Sequence, residues 1–286
     1  MPVFRPEGPL VVALGERLVD VTNRALVMGV LNRTKDSFFA PAATYDLEAL
    51  FFRAEELVAD GADLLDVGGV KAGPGEEVSE AEELERVVPV IAELARRFDL
   101  PLSVDTWRAS VAREAYAVGA AVGNDISGFA DPDYLTEAAR ANATVVATHI
   151  RLRPRVADPE PIYEDVVASV REFLLERRRW ALAAGLRHEQ VILDAGLDLG
   201  KSATQSLELL RASATLAALG SPVLLSASNK AFLGALLDLE VSERREASLA
   251  AAAIGVTQGC RILRVHDVRG TVRVRDTLAR LMEVPE

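Results

Sequence analysis

LVMGVLNRTKDSF, residues 26–38, decides between two α/β architectures. Its first seven residues form an apolar run of strand length that closes on Asn32. A doubly wound open sheet would carry a glycine fingerprint directly after its first strand, where the backbone must approach a dinucleotide closely. The residues after Leu31 are Asn-Arg-Thr-Lys-Asp-Ser-Phe, with no glycine among them. The run therefore reads as the first strand of a closed barrel that ends on polar side chains.

Working outward, seven further runs have the same character: DLLDVGG (63–69), PLSVDT (101–106), AVGNDI (121–126), TVVATHI (144–150), VILDAG (191–196), PVLLSAS (222–228) and ILRVHDV (262–268). Strands rich in Val, Ile and Leu on both faces belong to parallel sheets covered by helices. The intervening segments supply those helices. DLEALFFRAEELVADG sets Leu47, Leu50, Phe51, Ala54 and Leu57 on one face at amphipathic spacing. VSEAEELERVVPVIAELARRF opens with Ser79 and an acidic first turn, as a capped helix requires. Residues 160–185 and the alanine-rich 243–258 are helical by propensity. Ahead of the first barrel strand, LVVALGERLVDV reads as a hairpin turning at Gly15 and Glu16. The expected organisation is α/β: a short N-terminal β-hairpin over 1–24, packed on a single (β/α)8 TIM barrel over 25–286. Barrels of this kind typically take about 250 residues.

Half of the chain is hydrophobic, enough for a sizeable core, and 32 basic residues face 43 acidic ones for a formal charge of −11. That balance argues against binding a nucleic-acid backbone or an anionic membrane through bulk charge. An anionic ligand would need a local cluster of donors. No apolar run is long enough to span a bilayer, and MPVFRPEGPL lacks the pattern of a signal peptide. The expected location is the cytoplasm. A single cysteine, Cys260, excludes an internal disulfide. Three scattered histidines give little support to a zinc site.

Nearly every strand ends on something polar: Asn32, Asp66, Asp105 and Thr106, Asn124 and Asp125, His149, Asp194, Ser228-Asn229-Lys230, and Arg264, His266 and Asp267. In a barrel these ends converge on one face, where catalytic groups sit. Each residue also has a plainer reading. Asp105 can cap the helix after it, Asp125 can make an Asx-turn before Gly128, and His188 suits a solvated loop. His149 suits a structural role as well as a functional one. Amides and carboxylates on successive strands together are harder to reach by capping alone, because burying so many polar groups is costly unless they bond one another or a ligand. Asp105, Asn124, Asp194 and Lys230 combine acceptors, an amide and an ammonium, the mixture that a flat heterocycle with amino and keto groups requires. Asn32, Arg264 and His266 would suit an anion or a metal-bound phosphate. AGLDLGKS (195–202) ends like a P-loop, but Ala195 holds the first glycine position and the context is a barrel strand.

These segments resemble the dihydropteroate synthase family over roughly residues 25–280. MGVLNRTKDSFF looks like its first-strand motif. DVGG with the later Pro-Gly and ELERVVPVI, then SVDTWRASVA, GNDISG, LDAGLDLGK, SASNKAFLG and RVHDV, look like the later ones in the same order. The resemblance implies a (β/α)8 enzyme of folate synthesis that joins para-aminobenzoate to a dihydropterin pyrophosphate, releasing pyrophosphate with the help of Mg²⁺. It implies that Asp105, Asn124, Asp194 and Lys230 bind the pterin. Asn32 would meet the magnesium and pyrophosphate, and Arg264 with His266 would grip the leaving phosphates. A homodimer through helices outside the barrel is expected as well.

The chain departs from the family in one half of the site. Where the family usually has Glu-Ser-Thr-Arg before Pro-Gly, this chain has Val70, Lys71, Ala72 and Gly73. The Ser-Arg-Lys of the seventh strand is Ser228-Asn229-Lys230. Strand five has Thr-His-Ile where Met-His-Met is usual, and Asp-Ala-Gly replaces Asp-Pro-Gly. Arg33, Lys35, Arg151 and Arg153 are available to replace the lost charge, and each can equally be a solvated surface residue. The readings to separate are a working synthase, a paralogue that serves another acceptor, and a non-catalytic pterin-binding protein.

Overall fold

The computed structural model describes residues 3–33, 43–73 and 75–283. Strands β1 (Val11–Leu14) and β2 (Arg17–Asp20) pair antiparallel across a turn at Gly15, whose φ of 66° favours glycine. Eight strands then close a barrel: β3 (Leu26–Asn32), β4 (Leu64–Gly68), β5 (Leu102–Asp105), β6 (Ala120–Asp125), β7 (Thr144–Thr148), β8 (Val191–Asp194), β9 (Val223–Leu225) and β10 (Cys260–Val265). Neighbours in sequence are neighbours in the barrel, all pairs are parallel, and β10 closes on β3. Around it run α1 (Ala43–Ala59), α2 (Glu80–Arg97), α3 (Ala109–Ala117), α4 (Tyr134–Arg140), α5 (Val166–Ala183), α6 (Ala203–Arg211), α7 (Ser213–Ala217), α8 (Ala231–Leu237), α9 (Arg245–Thr257) and α10 (Val268–Glu283). The predicted TIM barrel and its hairpin are what the chain forms. Among the described residues, no helix is long and apolar enough to cross a membrane.

The apolar residues divide into two cores. The larger lies between the outer face of the strands and the helices, with Val67, Val104, Val145, Leu193 and Leu263 facing Leu57, Ile91, Val111 and Leu174. The smaller fills the barrel floor: Leu64, Val122, Val146, Ile192, Leu224 and Ile262 meet Val12, Leu14 and Val21 from the hairpin segment. The hairpin is thus a plug for the N-terminal end of the barrel. The Thr144 hydroxyl donates to Ala13 O (2.5 Å), and the buried Arg261 guanidinium donates to Thr22 O, Val256 O and Cys260 O.

Strand periodicity raises the site directly from that floor. Side chains two residues apart share a strand face. Two positions beyond the floor residues Leu64, Val122, Val146, Ile192, Leu224 and Ile262 stand Asp66, Asn124, Thr148, Asp194, Ser226 and Arg264. One apolar layer is therefore followed, toward the C-terminal end, by a polar layer.

Helix α2 carries a defect that a residue after β3 covers. It starts on Ser79, whose hydroxyl accepts from Glu82 N (3.2 Å), and it contains Pro89. Proline has no N–H, so the carbonyl four residues earlier, that of Glu85, loses its helical partner. The Arg33 guanidinium, just beyond β3, donates to Glu85 O (3.0 Å) and to Arg86 O (2.9 Å).

Candidate active site

The polar layer is bonded together around Asp66, which has no solvent exposure. Its carboxylate accepts from Ser103 Oγ (2.5 Å), Asn124 Nδ2 (3.2 Å) and Arg264 Nε (2.6 Å). Arg264 extends its other arm to Asp105 Oδ2 at 2.7 Å. Two carboxylates therefore share one guanidinium, and its fork geometry suits that bridging. Burial works against the charge of Arg264, but Asp66 and Asp105 more than offset it and hold the group above its ordinary pKa. Asp105 differs from Asp66 in keeping some contact with solvent, its side chain being 13% exposed. Burial pushes its carboxyl up to about 7, against the pull of Arg264. Gly68 lets Asn32 come alongside, since a Cβ there would lie 3.3 Å from Asn32 Oδ1 and 3.4 Å from Asp105 Cβ.

Asp105 does not cap α3. The first turn of that helix is served by Asp131 Oδ2, which accepts from Ala109 N (2.8 Å), and by Thr106 Oγ1, which accepts from Arg108 N (3.3 Å). Asp125 does follow the plainer reading, accepting from Ser127 N (2.6 Å) and Phe129 N (2.8 Å) in an Asx-turn. Burial lifts its carboxyl to about 6.

On the opposite wall, Asp194 accepts from Gly196 N (2.8 Å), and burial raises its pKa. Lys230 donates to Leu197 O (3.1 Å). Burial lowers its pKa, while Asp198 and Asp194 support the charge. Lys201, to which the sequence reading gave no role, lies buried beneath this wall. Its ammonium reaches Gly196 O (2.9 Å), Leu199 O (3.0 Å), His149 O (3.3 Å) and His149 Nδ1 (2.9 Å). Burial brings its pKa down to about 7 and that of His149, next to Lys201, to about 3. His149 is therefore a neutral acceptor that ties β7 to the loop after β8. Gly196 makes the approach possible, because a Cβ there would sit 1.9 Å from His149 O. The usable signal was Lys201 itself, a lysine inside a glycine turn directly after a buried strand.

The remaining expected residues are dispersed. His266 and Ser228 form a pair, with Ser228 Oγ 3.0 Å from His266 Nδ1. His266 is solvent-exposed at its edge, yet the protein packed around it, and then Arg264, Lys230 and Arg53, press its pKa down to about 4. Asn229 takes a left-handed φ of 58°, a conformation that asparagine tolerates well. Its backbone is fixed by Ser248 Oγ and by Arg244. Arg33 reaches α2, as described above. Arg151 is engaged by Asp158 through two 2.5 Å bonds, and Arg153 is exposed. Lys71 is exposed, and its carbonyl accepts from Arg155 Nη1 (3.0 Å). Lys35 lies outside the described residues.

The loop after β4 is bounded by a second buried carboxylate. Glu83 of α2 has no exposure, accepts from Thr106 Oγ1 (2.5 Å) and pairs with Arg108. Burial raises its pKa despite those partners. Arg108 also donates to Val78 O (2.7 Å), which fixes the far end of the loop beside Asp105.

Comparison with known proteins gives a consistent result. Residues 28–266 match the family described as "Pterin binding enzyme". The dihydropteroate synthase of Haemophilus influenzae is 40% identical over 86% of this chain and 90% of its own. A Mycobacterium leprae protein named inactive dihydropteroate synthase 2 is 42% identical over 90% of each chain. The structure of Xanthomonas albilineans dihydropteroate synthase with 4-aminobenzoic acid superposes with a TM-score of 0.90 at 36% identity, covering 97% of this chain and all of that one.

Proposed function

The chain belongs to the pterin-binding enzyme family, and on that premise we propose that it joins a dihydropterin pyrophosphate to para-aminobenzoate with release of pyrophosphate. The observation that carries this reading is the shared guanidinium of Arg264, which holds Asp66 and Asp105 side by side at the polar layer of the barrel. A pterin presents a row of N–H donors along one edge and a keto oxygen. Asp105 accepts from such donors, Asn124 accepts and donates, Asp194 accepts on the opposite wall, and Lys230 donates to the keto oxygen. Binding there also returns the Asp105 carboxyl to its charged form, since hydrogen bonds from a ligand favour the carboxylate.

The bond to be broken joins the pterin methylene to the pyrophosphate oxygen. That oxygen leaves with the electron pair, the pterin carries the positive charge, and the arylamine nitrogen attacks the methylene and loses a proton. Such a step depends on stabilising the departing anion more than on a strong base. His266, neutral at pH 7, serves the leaving group as a hydrogen-bond partner, and Arg264 supplies the neighbouring positive field. Asn32 offers one amide oxygen at the rim, and among the described residues no group of three His, Cys, Asp or Glu could hold a metal. Asn32 would hold a Mg²⁺ brought in by the pyrophosphate, an ion that commonly needs few protein ligands. Bound there, the ion would neutralise charge on the leaving group.

A second reading is favoured by the loop after β4. Val70, Lys71, Ala72 and Gly73 carry neither a hydroxyl nor a guanidinium, and a relative at 42% identity is named inactive. In that reading the chain binds the pterin and either serves another acceptor or none. One experiment separates the two: pyrophosphate release by the purified protein with dihydropterin pyrophosphate, Mg²⁺ and para-aminobenzoate, beside calorimetry with the pterin alone. Release that depends on para-aminobenzoate supports the synthase, and pterin binding without release supports the second reading. A homodimer belongs to the same proposal. Leu236 and Leu237 at the end of α8 and Val241 shortly after it are exposed, and a second copy would cover them.

A further inference from the structure

Glu83 of α2 takes no part in the chemistry proposed for the site, yet it braces the strand ends that bear it. Asp105 ends β5, and Arg264 holds its carboxylate from one direction. The backbone that carries it is fixed through the next residue, Thr106. Thr106 N donates to Asn124 O (3.1 Å), and Thr106 Oγ1 donates to Glu83 Oε1 (2.5 Å). The same hydroxyl accepts from Arg108 N (3.3 Å). Neither Thr106 nor Glu83 has any solvent exposure.

Glu83 also reaches the end of the neighbouring strand. A Cβ at Gly69, just past β4, would lie 3.6 Å from Glu83 Cγ. The second carboxylate oxygen takes the Arg108 guanidinium, which donates in turn to Val78 O (2.7 Å). One carboxylate thus joins the ends of β4 and β5, the strands that supply Asp66 and Asp105. Burial of an ion pair is weak evidence for stability, since desolvation offsets most of the attraction. An apolar side chain at position 83 could fill the space against Gly69, but it would leave the Thr106 hydroxyl buried without an acceptor. What the carboxylate adds is a fixed turn after Asp105.

We propose that Glu83 is a positioning residue for ring recognition: by holding Thr106 it sets the direction from which the adjacent Asp105 carboxylate meets the N–H donors of the ligand. Hydrogen bonds weaken steeply with misalignment, so a small turn of the strand end is felt in binding. The inference rests on the pterin reading of the site. It is tested by calorimetry with a dihydropterin lacking the pyrophosphate, beside urea unfolding of each variant. Glu83→Met and Thr106→Val should each weaken binding about tenfold, and the double variant should lose no more than either alone. Glu83→Gln, which can still bond the hydroxyl, should stay within about threefold of the unaltered chain. Arg275→Met is the control for general destabilisation. It breaks a buried pair with Asp63 at the opposite end of the barrel, and it should lower the urea midpoint with ring affinity held within twofold. Unchanged affinity in Thr106→Val, losses that multiply in the double variant, or an equal loss in Arg275→Met overturns the proposal. An unaltered chain that does not bind the dihydropterin sinks the pterin reading itself, whereas binding that Thr106→Val leaves unmoved sinks the role of Glu83 alone.

Discussion

At the end of β4 the side chains organise the structure, and in the loop just beyond it the backbone does. Asp66 gathers Ser103, Asn124 and Arg264 around one buried carboxylate. From Gly69 onward it is the carbonyls that are held, by Arg86, Arg155 and Arg108. The first arrangement is strict about residue identity, because an unpaired buried charge is expensive. The second asks little of the loop's side chains, because any residue offers a carbonyl, although Gly69 and Gly75 lie close to Val87 and Arg155. A loop fixed in that way can exchange its polar residues and still keep its shape.

The comparison is broken most forcefully at Arg264. Arg264→Met leaves Asp66 and Asp105 facing each other without their shared cation, and removing one partner of a buried pair costs about 3–5 kcal/mol. Urea unfolding should show a loss of that size, and a loss under about 1 kcal/mol would mean that the guanidinium bridge between the two carboxylates contributes little to the fold. Next comes Asp105→Asn. Each hydrogen bond to a charged group contributes about 1.5–3 kcal/mol, so losing the charge should weaken pterin binding about a hundredfold by calorimetry. The same variant should leave the α3 cap intact, since Asp131 and Thr106 serve it.

The third effect is on pH. Asp105 must be ionised to accept from the pterin, so affinity should rise with pH up to about 7 and level off above it. The folding contribution runs the opposite way. A carboxyl raised above its unfolded value binds a proton in the folded state that the unfolded state releases, so its stabilising effect is present at low pH and is lost as pH rises through about 7. Asp105→Asn should flatten both profiles, and profiles unchanged by that variant would point to another titrating group. The smallest effect belongs to the backbone-held side of the comparison. Arg33→Ala uncovers the carbonyl that Pro89 leaves open and should cost about 1 kcal/mol, the typical net value of a hydrogen bond. Pro89→Ala in the same background should recover most of it, as the restored N–H reaches Glu85.

The polar layer was legible in the sequence because a strand repeats every two residues. A floor residue such as Leu64 or Ile262 fixes where Asp66 or Arg264 must stand. The closed barrel followed from the same alternation and from the missing glycines after Leu31. What could not be read was which polar group bonds which. Arg264 was expected at the phosphates, and its bonds to carboxylates on β4 and β5 were not visible in the sequence. The destination of Arg33 depends on a proline in a helix far along the chain, and that of Arg155 on carbonyls, which sequence does not distinguish. Side-chain chemistry is written residue by residue, whereas backbone acceptors are present everywhere and become specific only in three dimensions.

The plug at the barrel floor sets an order of events during synthesis. Val12, Leu14 and Val21 leave the ribosome some 200 residues before Leu224 and Ile262, which complete the surface they cover. Arg261, beside the last of these, is also the residue that ties down Thr22. The apolar faces of the hairpin thus stay without their full set of partners until β10, which carries Ile262, has emerged. During that interval the nascent chain carries a strand-forming segment with part of its apolar surface uncovered, the kind of surface that makes partly folded chains prone to aggregate.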